Sequence, residues 1–149
     1  MADGNQLPVL VAGAGPTGLV LALSLARHGV RCRVIDAASH AGEQSRAMAV
    51  QARTLEFYRQ FGFADEIVQQ GVVAEAVHLR EGGREVLHAF FRDMGAGISP
   101  YPFVLTYPQD DHERFLERRL ADAGVQVERD ARLTGFTQDA VGVRARVSH

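Results

Sequence analysis

The feature that most constrains this chain is a buried strand that turns on glycines directly into a helix: Val9-Leu-Val-Ala-Gly13-Ala-Gly15-Pro-Thr-Gly18-Leu-Val-Leu-Ala-Leu-Ser-Leu-Ala26. The continuous apolar run before Gly13 suits a strand covered on both faces of a parallel sheet, and a central position is expected for it. Pro16 falls in the first helical turn, where its missing N–H costs nothing, and Gly29 supplies a left-handed stop. Leu19, Ala22, Leu23 and Ala26 follow the i, i+3, i+4, i+7 rule and place one helix face on the sheet. Gly13, Gly15 and Gly18 stand in G-x-G-x-x-G spacing: the first allows a tight turn, the second a close approach of pyrophosphate to backbone, the third contact between helix and strand. A second apolar run, residues 30–36, ends on Asp36, where the ribose hydroxyls of a dinucleotide would lie. Two readings remain open here, a dinucleotide phosphate turn and a tight connection without a ligand. The closing acid favours the first.

The 149 residues are one domain long, and 46% apolar with 23% charged residues is ordinary for a globular chain able to bury a core. A net charge of −2 with no basic cluster interleaved with aromatics argues against nucleic acid as a partner. The single Cys32 excludes an internal disulfide framework and a multi-cysteine metal site, in keeping with a cytoplasmic location. Residues 7–26 are uncharged enough to imitate a membrane span, but Gly-Ala-Gly-Pro interrupts them midway and no Lys or Arg precedes them, so no membrane is expected.

Past Asp36, residues 37–44 read as a polar loop and residues 45–56 as the start of a helix that ends before Gly62. Arg46 can pair with a phosphate through its planar fork or be a solvated loop residue; the segment alone leaves both open. Residues 64–70 form a further short helix stopped by Gly71. From 72 to 104 the period changes to alternation around Gly82-Gly83, which predicts antiparallel hairpin material. A strand at 103–106 leads to a helix at 111–123, with Asp110 and Glu113 in capping-box spacing. Residues 125–128 are the expected third parallel strand, and 131–137 pairs with 141–147, so the chain is expected to stop in mid-sheet.

No catalytic residue emerges. His28, His40, His78, His88, His112 and His149 form no metal-ligand spacing, no metal site is expected, and no G-x-S-x-G elbow is present. Asp110 and Asp111 fit a helix start better than an acid–base pair. Any redox chemistry must then come from a bound cofactor.

Gly13-Ala-Gly15-Pro16-Thr17-Gly18-Leu, Asp36, Arg46-Ala followed by Gln51-Ala-Arg-Thr-Leu-Glu56, and Gln109 opening a helix with Glu113 and Leu116 together resemble the FAD-dependent aromatic-ring monooxygenases, the para-hydroxybenzoate hydroxylase-like family. The resemblance covers essentially the whole chain. It implies an α/β, Rossmann-like FAD/NAD(P)-binding fold with a parallel core sheet and inserted antiparallel strands, present here only in its N-terminal portion. It implies FAD as cofactor, NAD(P)H as electron donor, O2 as co-substrate and a small aromatic, often phenolic, substrate. By the same resemblance the glycine turn, with Pro16 and Thr17, holds the pyrophosphate, Asp36 holds the adenosine ribose, and Arg46 and Gln109 contact FAD. Strands within 72–104 would belong to a sheet covering the substrate. Asp36 is one methylene shorter than the glutamate more common in the family. An Asp-Gly and a later Gly-Asp motif lie outside this sequence. The chain alone is therefore expected to be inactive, with an exposed sheet edge that favours self-association. A dehydrogenase-type NAD(P) module and a non-catalytic nucleotide-binding module are the competing classes; the Arg46–Glu56 segment argues against the former.

Overall fold

The computed structural model describes residues 9–42, 47–91 and 95–149. In chain order they form β1 (Val9–Ala12), α1 (Pro16–Arg27), β2 (Cys32–Ile35), β3 (Ala47–Val50), α2 (Ala52–Phe61), α3 (Ala64–Gln70) and β4 (Val72–Ala74). There follow β5 (Ala76–Glu81), β6 (Arg84–Phe90), β7 (Val104–Pro108), α4 (Gln109–Asp122), β8 (Val127–Glu128), β9 (Arg132–Gln138) and β10 (Val143–Ser148). Two compact units divide them, one made of residues 1–44 with 110–149 and the other of residues 45–109.

The first unit holds a parallel sheet in the order β1-β2-β8, with Val11 opposite Val34 and Val34 opposite Val127. Among the described residues β2 is thus the middle strand and β1 an edge. That corrects the expectation of a central β1 covered on both faces: no described strand pairs along its far side, and of its four residues only Val11 is buried. Helix α1 packs on β1 and β2 through Leu19, Ala22 and Leu23. It ends in a Schellman turn, with Gly29 at φ +70° and the Val30 N–H donating to the Leu25 carbonyl. Phe115, Leu116 and Leu120 of α4 are fully buried, and the Arg119 guanidinium lies 5.1 Å from the Phe115 ring centre. Arg33 of β2 grips Glu128 of β8 with two 2.7 Å hydrogen bonds, which locks the parallel register from the side. The β9–β10 pair is antiparallel, and the Asp139 carboxylate accepts the Val141 and Gly142 N–H groups in its turn.

The second unit contains the antiparallel sheet β3-β7-β4 and the separate hairpin β5–β6. Residues 47–50 are a strand, not the start of a helix: Ala49 pairs with Thr106 and Val50 with Leu105, and this pairing overrides the helix propensity of an Ala-Met-Ala-rich segment. Leu55 and Tyr58 of α2, Ile67 of α3 and Leu105 of β7 form its buried core. Phe63 stacks on Phe61, with ring centres 5.6 Å apart, and meets the Tyr58 ring at a 45° tilt 5.2 Å away. The Tyr107 hydroxyl donates to Gln70 Oε1 at 2.7 Å. Among the described residues no helix is long and apolar enough to cross a membrane.

Candidate functional site

The strand-to-helix turn owes its shape to its glycines. Gly13, at φ +108°, ends β1 and donates to the Ile35 carbonyl at 2.8 Å, tying the turn to β2. Gly18 faces back onto it, and a Cβ there would collide with the Gly13 carbonyl oxygen and touch Val11 Cγ1. Close approach of α1 to β1 therefore depends on the missing side chain. Gly15 differs, because a Cβ built on it meets nothing within 4 Å. It is the N-cap of α1, contributes no side-chain cap, and is followed by Pro16 at the first helical position. The amides of Thr17 and Gly18 have no earlier helical turn to bond to, so they and the helix dipole present partial positive charge at a solvent-open rim. An anion with several oxygens fits this rim by charge and by space.

Asp36 sits just beyond β2 and is engaged by backbone on both carboxylate oxygens. Oδ2 accepts the Ala14 N–H at 2.6 Å and Oδ1 the Ala38 N–H at 2.8 Å. The backbone of Asp36 adds two more bonds, its N–H to Glu128 and its carbonyl from Ala131. One side chain thus links the glycine turn, the end of β2 and the segment after β8. Arg129 Nη1 stands 3.9 Å from Oδ1, while Nη2 of the same residue donates to Glu117 at 2.7 Å. Arg129 was not singled out by sequence reasoning, and no local motif marks it; only the pairing of β8 with β2 carries it to Asp36.

The capping-box expectation for Asp110 and Glu113 is corrected. Helix α4 already begins at Gln109, so Asp110 lies in its first turn and pairs with Arg114 at 3.0 Å. Glu113, 7% exposed, reaches instead to the loop after β2 and accepts the Gly42 N–H at 3.1 Å. Beside it, burial pushes the His112 imidazole down to about 4, against a smaller opposing pull from Glu113, so it is neutral near pH 7.

The structure thus brings Gly13, Gly15, Pro16, Thr17, Gly18 and Asp36 together at one turn. Gln109 is the first residue of α4, at the boundary of the second unit. Arg46 lies outside the described residues.

Residues 6–149 match the family model described as FAD binding domain. The chain is 48% identical over 129 residues to 6-methylpretetramide 4-monooxygenase of Streptomyces rimosus, a match covering 85% of this chain and 22% of that protein. To pentachlorophenol 4-monooxygenase of Sphingobium chlorophenolicum it is 33% identical over 138 residues, covering 92% of this chain and 25% of that protein. Among solved structures, aklavinone-11 hydroxylase in a ternary complex with FAD and aklavinone superposes with a TM-score of 0.75 at 32% identity, over 99% of this chain and 30% of that one. The chain spans about a quarter of the length of these relatives. Strand, glycine turn, helix, the acid just after the second strand and the matching family model agree, and the chain belongs to the FAD binding domain family.

Proposed function

We propose that this chain is the FAD-binding portion of a flavin-dependent monooxygenase that hydroxylates an aromatic, phenolic substrate with NAD(P)H and O2, and that alone it completes no turnover. The observation that carries the reading is the open rim at Gly15: a helix N-terminus with unshielded amides, free space where a side chain would stand, and an acid fixed beside it. These residues fit the ADP half of the cofactor. When bound, FAD supplies the two-electron path from NAD(P)H to O2. The chain's own task is to hold and orient it. Gly15, Thr17 and Gly18 direct amides at the pyrophosphate, Pro16 keeps the first turn preformed, and Asp36 offers its remaining lone pairs to the adenosine ribose. Arg46 and Gln109 add contacts to the cofactor, a role supported by family resemblance. The names of the relatives, pentachlorophenol among them, support a phenolic ring as substrate, and the hairpin β5–β6 is assigned to a sheet that covers it. The single Cys32 favours a cytosolic setting.

Inactivity of the chain alone is supported by its span of about a quarter of its relatives. Phe136 of β9, Val143 of β10 and Val141 in the turn between them are exposed, and a cleft of about 820 Å³ runs from them to Val9 and Leu10 of β1. Apolar surface of this kind favours self-association. The test is to titrate the purified chain with ADP and with FAD, follow flavin absorbance after dialysis and NAD(P)H consumption, and measure its mass in solution. ADP binding without retained flavin or turnover is expected, and Arg46→Ala should weaken nucleotide binding by about 1.5–3 kcal/mol, the size of a hydrogen bond to a charged group. Absence of any ADP binding would remove the nucleotide site. A yellow monomer that oxidises NAD(P)H would remove the claim of inactivity.

A further inference from the structure

The β5–β6 hairpin turns on Gly82-Gly83, both at positive φ, and its register breaks between Leu79 and Arg80. His78 lies opposite His88, and Leu79 opposite Leu87, but Arg80 lies opposite Glu85, so Val86 is the extra residue of a β-bulge. Residues directly opposite share a face, as do residues two apart on a regular strand. His78, His88 and Arg80 are therefore on one face, and Glu85 joins them only because the bulge reverses the alternation between it and His88. Regular alternation would have sent Glu85 to the other side.

On that face His78 Nδ1 is 2.9 Å from Glu85 Oε2, and His88 Nδ1 is 3.7 Å from Glu85 Oε1. The two imidazole rings stack with centres 4.0 Å apart, and one ligating atom from each of the three residues lies within 4.8 Å of the other two. Donor atoms around a tetrahedral zinc, bonded at about 2.0–2.1 Å, stand about 3.3 Å apart, so small side-chain rotations bring the three groups to that spacing, the ion displacing the proton of the His78–Glu85 hydrogen bond. Phe90 lies against His88 at 4.2 Å between ring centres and limits its freedom. We propose that His78, Glu85 and His88 form a solvent-facing binding site for a divalent transition cation of the zinc type. Two neutral imidazoles and one carboxylate are a donor set suited to Zn²⁺, Ni²⁺ or Cu²⁺ and unsuited to Mg²⁺ or Ca²⁺. Water completes the coordination, and the bound ion ties β5 to β6 across the bulge.

The site is tested on the whole 149-residue chain by calorimetric titration with Zn²⁺ and, separately, with Mg²⁺. One Zn²⁺ per chain and no Mg²⁺ response are expected. His78→Ala, His88→Ala and Glu85→Gln should each weaken Zn²⁺ binding by more than the about 10–100-fold that loss of an outer partner costs. His40→Ala, in the other unit, should leave it unchanged. All three substitutions are at solvent-exposed positions, and unchanged circular dichroism shows that the hairpin survives them. No Zn²⁺ binding by the wild-type chain, or binding that the three variants share undiminished, overturns the proposal.

Discussion

Adding one methyl group to Gly15 or to Gly18 perturbs the same turn in two physically different ways. At Gly15 the backbone is at φ −73°, accessible to any residue, and the new Cβ meets nothing within 4 Å. The cost to folding is that of exchanging glycine for alanine at an N-cap, about 0.5–1 kcal/mol. For a chain of this size that lowers the melting temperature by roughly 1–4 °C. The methyl nevertheless occupies the rim where phosphate oxygens would meet the Thr17 and Gly18 amides. Each hydrogen bond lost to a charged group is worth about 1.5–3 kcal/mol, so ADP affinity should fall at least about tenfold. At Gly18 the methyl collides with the Gly13 carbonyl oxygen, and α1 must move off β1 to relieve the overlap. Overpacking of this kind costs about 1–3 kcal/mol or more, so Gly18→Ala should lower the melting temperature by roughly 2–12 °C. Thermal melts by circular dichroism and calorimetric ADP titrations of both variants separate the two effects. Gly15→Ala should be near-native in stability and deficient in binding, Gly18→Ala deficient in both. If Gly15→Ala binds ADP like the wild type, the open space at Gly15 is not where the phosphates sit.

Three further outcomes follow from the geometry. Asp36→Ala removes the acceptor of the Ala14 and Ala38 amides and should destabilise the chain by about 1.5–3 kcal/mol in urea titrations, with ADP binding weakened as well; an unchanged midpoint would show that solvent replaces the carboxylate at no cost. His112 has a folded pKa of about 4 against 6.5 for the free side chain, so the unfolded chain takes up a proton that the folded chain refuses. Stability is then fully present above about pH 6.5 and declines towards pH 4 by an amount on the order of 3 kcal/mol, a loss that His112→Gln should reduce in pH-dependent urea titrations. Arg33→Ala should have a smaller effect, under about 1 kcal/mol in the same urea assay, because its pair with Glu128 is partly exposed to solvent.

The part of the fold legible in the sequence is the part whose pattern is local. Gly13, Gly15, Gly18, Pro16 and Gly29 punctuate β1–α1–β2 within a short stretch, and the hairpins around Gly82-Gly83 and Asp139 carry their own turn residues. What stayed hidden depends on partners distant in the chain. Residues 47–50 have helix-forming composition and become a strand only because β7 pairs with them. Glu113 has capping-box spacing from Asp110, yet it serves Gly42, some 70 residues earlier. Of the candidate site, the turn and its acid were legible, whereas the engagement of Asp36 with the Ala14 amide and the approach of Arg129 required the folded sheet. The bulge at Val86 coincides with the adjacent apolar pair Val86-Leu87, a break in the alternation too short to reveal that two histidines and a glutamate converge on one face.

The sheet order β1-β2-β8 also sets a timetable for synthesis. Strands β1 and β2, with α1 between them, leave the ribosome together and can pair at once, but the other edge of β2 must wait for β8, roughly 90 residues later. At about 5–20 residues per second, that edge stays open for roughly 5–20 s. During the wait the apolar Val34 and Ile35 lack their final neighbour, while residues 45–109 collapse into a unit of their own. Slower translation between the codons for Ile35 and Val127 lengthens this exposure. Yield of native chain should therefore respond to codon choice in that interval and to chaperone supply, with no change in the finished protein.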